Sequence, residues 1–190
     1  PLLGAGVILV FSWRFIFMIF IIFGLISTIW TALRIREPLT PEMRIPFKFQ
    51  PFKKAIIEII FLKIVRLAII TLIFAGGILF LGILLIQQVF DQFYGRADSF
   101  PVWFALIAVM SASASFLNSM IVLRFGMRRL VSVSFYVQVI WSCCMLILYS
   151  RDLLSGDFGF SIFVFWVFGI FFQAGLTFGN LTALAMEPLG

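Results

Sequence analysis

Histidine is absent from the 190 residues, and charge is scarce: lysine, arginine, aspartate and glutamate together make 12% of the chain. Without imidazole there are no histidine-based triads, proton relays or metal-ligand sets. Soluble domains carry about 25% charged and roughly 45–50% apolar residues, so this chain has too little polar surface to cover a soluble fold. Cysteine is limited to Cys143 and Cys144. Adjacent positions on a helix point about 100° apart, which suits small packing residues better than a disulfide or metal pair. No glycine-rich phosphate loop of the P-loop type occurs, so an ATP-driven machine would need that loop on another chain. There is no initiator methionine at Pro1 and no signal-peptide n-region, and both ends fall in apolar sequence. The expectation is a fragment.

Apolar residues fill the space that charge leaves. They make 63% of the chain, with 26 phenylalanines and five tryptophans, and the mean hydropathy is +1.18. Uncharged runs cover 15–33, 67–90, 101–123, 130–150 and 158–186. Each reaches the roughly 20 residues that a membrane helix needs, and none alternates as a bilayer-spanning strand does. A shorter run, 1–13, reads as the tail of a further helix. The fold class expected is an all-α integral membrane protein, with the lipid bilayer as its solvent.

Positive charge alternates between the connecting segments. Segment 34–66 holds Arg34, Arg36, Arg44, Lys48, Lys53, Lys54, Lys63 and Arg66, and 124–129 holds Arg124, Arg128 and Arg129. Segments 91–100 and 151–157 hold one arginine each, with Asp91, Asp98, Asp152 and Asp157. Positive charge collects on the cytoplasmic side of membrane proteins, so 34–66 and 124–129 are expected there. The basic balance is then an orientation signal, with scope for contact with anionic lipid, and predicts no nucleic-acid partner. Within 34–54 four prolines and no apolar period mark a linker, with a helical turn possible at Thr40–Pro41–Glu42. A helix resumes from Pro51 to Arg66 and runs on the inner surface before entering the membrane. This composition break predicts 1–33 as the end of one helical bundle and 55–190 as another.

Polar residues inside spans are expensive in lipid and face a bundle interior or a cavity. Gln173, Thr177 and Asn180 form a narrow stripe on the last span. Ser111, Ser115 and Asn118 share a face of 101–123. Gln87, Gln88 and Asp91 crowd the outer end of 67–90, and Gln138 clusters with Ser134 and Ser142. These are the candidate substrate-cavity residues; for the serines, plain interhelical hydrogen bonding is the competing reading. Gly175 and Gly179 form a small-xxx-small face on which a neighbouring helix can pack. In the 124–129 loop, Gly126 is the residue suited to a tight reversal. The arginines around it serve either as an orientation signal alone or as a gating loop.

Four stretches together resemble one family. "PLLGAGVILVFSWRFIF" is similar to the end of helix five and start of helix six in major facilitator drug exporters, with Pro1 and Gly4 at motif positions for helix packing. "REPLTPEMR" resembles the linker that follows, "NSMIVLRFGMRRLV" the loop between helices eight and nine, and "FGNLTALAMEPLG" the end of helix ten in the Bcr/CflA drug-resistance group. Leu123 stands where the stronger copy of the loop motif has aspartate, and Met127 where a second basic residue is common. The resemblance implies a fragment, from late helix five to helix ten, of a twelve-helix fold with inverted three-helix repeats. It implies a multi-pass protein of the bacterial inner (plasma) membrane, a monomer, completed by the missing N-terminal half of the same chain. The expected function is proton-coupled export of a small-molecule substrate by alternating access, with no cofactor and no metal beyond the proton gradient as driving force. Arg124, Gly126, Arg128 and Arg129 match the gating loop. Uptake of a metabolite by the same fold is the nearest alternative, and a membrane enzyme or sensor subunit is the alternative from another class. An enzyme should show convergent catalytic groups near one membrane face, and the sequence presents none.

Overall fold

The computed structural model describes residues 2–35 and 48–189, and all regular structure among them is helical. Pro1, most of the expected linker and the turn at Thr40–Pro41–Glu42 lie outside the described residues. The chain divides into two compact units, Pro1–Ile56 and Ile57–Gly190.

The first unit contains α1 (Leu2–Val10) and α2 (Arg14–Arg34). Helix α2 buries none of its residues. A helix apolar on every face needs no protein partner where lipid surrounds it. Its ends carry anchors suited to a membrane interface: Arg14 lies over the Trp13 ring at 5.7 Å, and Arg34 over Trp30 at the same distance. Amphipathic rings of this type collect at headgroup level.

Helix α3 (Phe49–Phe61) and helix α4 (Lys63–Gln88) are separated by Leu62, whose ψ of 118° is extended. A single helix through Arg66 was the expectation, and the break corrects it. Leu62 carries no helix-breaking chemistry. The bend falls where a helix with charge on one side gives way to one that is apolar all round, and residue propensity is blind to that change. Helix α4 then ends in a π-helical turn at Val89–Phe93. The remaining helices are α5 (Phe100–Phe125), α6 (Met127–Ser150) and α7 (Gly156–Met186). Five helices, α2 and α4 to α7, are long and apolar enough to cross a membrane. The chain therefore has the make-up of a multi-pass helical membrane protein.

Helix α7 is central, packing against α4, α5 and α6. It carries more buried residues than any other helix, among them Phe160, Phe163, Val167, Ile170, Leu181 and Leu184. Near its N-terminus an aromatic cluster encloses Phe90, which is fully buried. The Phe90 ring meets Phe100 at 5.5 Å, Phe160 at 5.1 Å and Phe163 at 6.1 Å, all edge to face. This geometry brings the positive ring edge to the negative face.

Two glycines in α7 are required by packing. A Cβ at Gly159 would lie 2.0 Å from the Leu154 carbonyl oxygen, and one at Gly175 would lie 2.9 Å from the Ala114 Cβ on α5. Gly175 thus works as the close-packing position expected of it. Gly179 does not: a Cβ there meets nothing within 4 Å. The two are four residues apart, yet one turn later the α5 contact is made by the neighbouring Asn180, through Asn118, and not at the glycine. Gly4 has only the Ile16 side chain at 4.0 Å.

This contrast predicts stabilities. Gly159→Ala and Gly175→Leu should each cost about 1–3 kcal/mol by overpacking. Gly179→Ala should be neutral or gain up to about 1 kcal/mol of helix propensity. Unfolding of the purified protein in detergent measures all three, and a Gly175→Leu variant as stable as the parent would contradict the close α5–α7 contact.

Candidate functional site

The polar stripe of α7 lies inside the bundle. Gln173, Thr177 and Asn180 are all buried, Thr177 completely. The Thr177 hydroxyl donates to the Gln173 carbonyl at 2.9 Å and accepts from Gln173 Nε2 at 3.3 Å. Asn180 Nδ2 donates to the Leu176 carbonyl at 2.7 Å and to Asn118 Oδ1 on α5 at 2.6 Å. Side chains in an apolar span have no water to bond, so each finds a partner on its own helix or the next. Ser111, on the same side of α5, is buried and its hydroxyl is without a partner. Ser115 is exposed: the contact runs through Ile107, Ser111 and Ala114, and Ser115 falls on its rim.

A second polar knot joins α6 to α7. Gln138 is buried and donates through Nε2 to Ser142 Oγ at 3.2 Å, and Trp166 Nε1 donates to the same oxygen at 3.3 Å. Ser134 bonds back to the Leu130 carbonyl at 2.8 Å. The Gln138–Ser142 pair borders a groove of about 620 Å³ between α4 and α6, otherwise walled by side chains such as Leu81, Leu85, Val139 and Leu146 and floored by Ile170. Trp166 was not among the residues singled out from sequence. The available signal was its position: a tryptophan far from either end of a span needs a partner for its indole N–H.

Gln87, Gln88 and Asp91 do not join these groups. All three are exposed at the far end of α4. Helix α4 runs from the arginine-rich end of the bundle at Lys63 to the acidic end, whereas Asn118 lies near the arginine-rich end of α5. At about 1.5 Å per residue, Gln87 stands roughly 36 Å along α4 from Lys63, while Asn118 stands only about 11 Å from Phe125. Among the described residues, the polar faces of α4, α5 and α7 therefore do not share one cavity. Helical phase tells which way a side chain faces and nothing of its depth.

Charge gathers at the two ends of α7. At the acidic end Arg96 donates to Asp157 at 2.5 Å and lies over the Phe160 ring at 4.3 Å. Nearby, burial pushes the Tyr94 phenol above its usual range, so it stays neutral. At the other end Arg128, in the first turn of α6, donates to Glu187 just beyond α7 at 3.1 Å. Both partners are about half exposed or more. Gly126 alone separates α5 from α6, with φ 78° and ψ 153°, a conformation essentially confined to glycine. Arg124 occupies the last turn of α5 beside Phe125, and Arg129 is exposed. Among the described residues no three cysteine, aspartate or glutamate side chains gather to hold a metal.

Comparison with known proteins adds no relative: no family model, no curated protein and no solved structure matches this chain.

Two measurements check this geometry. A double-mutant cycle with Asn118→Ala and Asn180→Ala should return a coupling of about 0.6 kcal/mol, and not above about 1.7, the range for bonds between membrane helices. In a Cys143→Ser, Cys144→Ser background, Gln87→Cys should react with a charged thiol reagent and Thr177→Cys should be protected. Equal reaction rates at the two would mean that the α7 stripe lines water.

Proposed function

We propose that this chain belongs to a proton-coupled secondary transporter of the major facilitator type, in the manner of the Bcr/CflA drug-resistance group, and exports small amphiphilic molecules by alternating access. The observation that carries the reading is the ion pair between Arg128 and Glu187. The two residues belong to separate resembling stretches, "RFGMRR" and "FGNLTALAMEPLG", and they meet at one end of the central helix. An orientation signal needs arginines near the surface but no partner for any of them. A gate needs a fastening that closes and releases on every cycle. Exposed pairs contribute only about 0–1 kcal/mol, whereas breaking a buried one costs about 3–5. The exposed Arg128–Glu187 pair has the strength of a latch and not of a weld.

The groove beside Gln138 and Ser142 suits the substrate class. At about 620 Å³ it falls within the range of small-molecule sites, roughly 300–1,000 Å³, which are mostly apolar with a few placed polar groups. An amphiphile would lay its apolar body along α4 and its polar group at the Ser142 hydroxyl. The driving force in this reading is a proton gradient, as the resemblance to major facilitator exporters implies. By this reading the loop at Gly126 and the arginines faces the cytoplasm.

Export assays test the proposal. Cells producing the intact parent transporter should accumulate several-fold less of a lipophilic cationic dye, and an uncoupler should abolish the difference. Glu187→Arg should impair export, and Glu187→Arg with Arg128→Glu should recover part of it. Gly126→Val should lower turnover by straining the reversal. A topology reporter fused after residue 150 separates mis-insertion from loss of gating. Efflux that survives collapse of the gradient but stops on ATP depletion would reject proton coupling. Parental export by Glu187→Arg would reduce the loop to an orientation signal.

A further inference from the structure

A second hollow lies at the arginine-rich end, between the start of α4, the start of α6 and the end of α7. It measures about 310 Å³, with Arg128 in its lining. Its walls are apolar: Leu67 from α4, Val131 from α6, Leu181 and Leu184 from α7. The hydroxyls that reach it are turned onto their own helices, Thr71 to the Leu67 carbonyl at 2.8 Å and Ser132 to the Arg128 carbonyl at 2.9 Å. The interior therefore offers no donor, and a hydrocarbon chain is the chemistry that fits it.

The rim adds charge. Arg128 uses Nη2 for Glu187, and its side chain is 66% exposed. A guanidinium carries five N–H donors in a planar fork that matches phosphate oxygens in pairs. Lys63 and Arg66 begin α4 at this end, Arg124 closes α5, and Arg129 follows Arg128. Their summed field favours an anion, as basic pockets between membrane helices do for lipid headgroups. From this combination of an apolar slot, an arginine at its rim and a depth just inside one membrane face, we infer that the hollow binds an anionic glycerophospholipid. One acyl chain enters between α4, α6 and α7, and the phosphodiester takes Arg128. The phosphate and the Glu187 carboxylate then compete for one guanidinium, so lipid occupancy loosens the tie between α6 and α7. The site needs a membrane and not a transport cycle, and it stands apart from the export reading.

Photocrosslinking tests it. The whole chain is reconstituted in phosphatidylcholine vesicles with a tracer carrying a photoreactive group on the acyl chain, either phosphatidylglycerol or phosphatidylcholine. Adducts are mapped by peptide mass spectrometry. The phosphatidylglycerol probe should label 64–71 and 181–184 several-fold more than the phosphatidylcholine probe. Arg128→Gln should remove that preference, and Glu187→Gln should raise it by freeing the arginine. Leu181→Trp, which fills the slot, should cut labelling by both probes; Thr71→Phe does the same from α4 should the tryptophan variant fail to fold. Equal labelling by the two probes, or a preference untouched by Arg128→Gln, would make the contact ordinary annular lipid and overturn the inference. Millimolar inorganic phosphate should leave labelling unchanged; competition by it would mean that the site takes a free anion in place of a lipid.

Discussion

A polar side chain in the middle of an apolar span has no water to turn to, and the arrangement of the second unit follows from that constraint. Helix α7 carries Gln173, Thr177 and Asn180 within two turns. Thr177 bonds within its own helix, but facing lipid Asn180 would lose its partner on α5 and Gln173 would leave amide groups unpaired, and an unsatisfied amide there costs several kcal/mol. Enclosing α7 with α4, α5 and α6 removes that exposure, and the bonds from Asn180 to Asn118 and from Trp166 to Ser142 set how α5 and α6 meet it. Hydrophobic burial alone could not choose this helix for the centre, because α4 is at least as apolar and lies at the edge. The polar stripe makes α7 the member that cannot be peripheral.

Close packing then acts on what the polar groups have selected. Gly175 allows α5 to approach until a Cβ would already overlap Ala114, and dispersion between the two helices grows as that distance falls. At the acidic end the same role passes to aromatic rings around Phe90, where the π-helical turn of α4 delivers a buried ring to Phe100, Phe160 and Phe163. Turns of this kind add a residue to the helix and re-aim the side chains beyond it. Arg96 lies over the Phe160 face and reaches Asp157, which ties this cluster to the connection between α4 and α5.

The sequence was most legible where a single property repeats. The uncharged runs 15–33, 67–90, 101–123, 130–150 and 158–186 fall inside the five long helices, because lipid demands an unbroken apolar length and charge marks where it stops. Gly126 was legible for a similar reason: a one-residue reversal with positive φ admits little else. The site was less legible. Phase placed Asn118 and Asn180 on facing sides, and they do meet, but the same phase grouped Gln87, Gln88 and Asp91 with them although these lie most of a membrane thickness away. The break at Leu62 and the open space at Gly179 depend on neighbouring helices and leave no mark on local composition. Glu187 appeared only as part of a terminal motif; its partnership with Arg128 needed the third dimension.

The middle and the ends of α7 are held by forces of different kinds, and this bears on how the bundle can move. Inside the bundle the polar side chains of α7 are buried, so displacing α7 from α5 would cost Asn180 its bond to Asn118. At both ends the ties are ion pairs, Arg96–Asp157 and Arg128–Glu187, with at least one carboxylate or guanidinium well exposed in each. Water and headgroups can substitute for either partner there at little cost. A deformation of this unit is therefore cheapest as a rotation about a fixed centre, with the ends exchanging partners while the buried bonds persist. That is the mechanical property the proposed alternating access would ask of this unit. Here it arises from the same constraint that set the fold, since polar groups are tightly paired wherever water is missing and loosely paired wherever it is near.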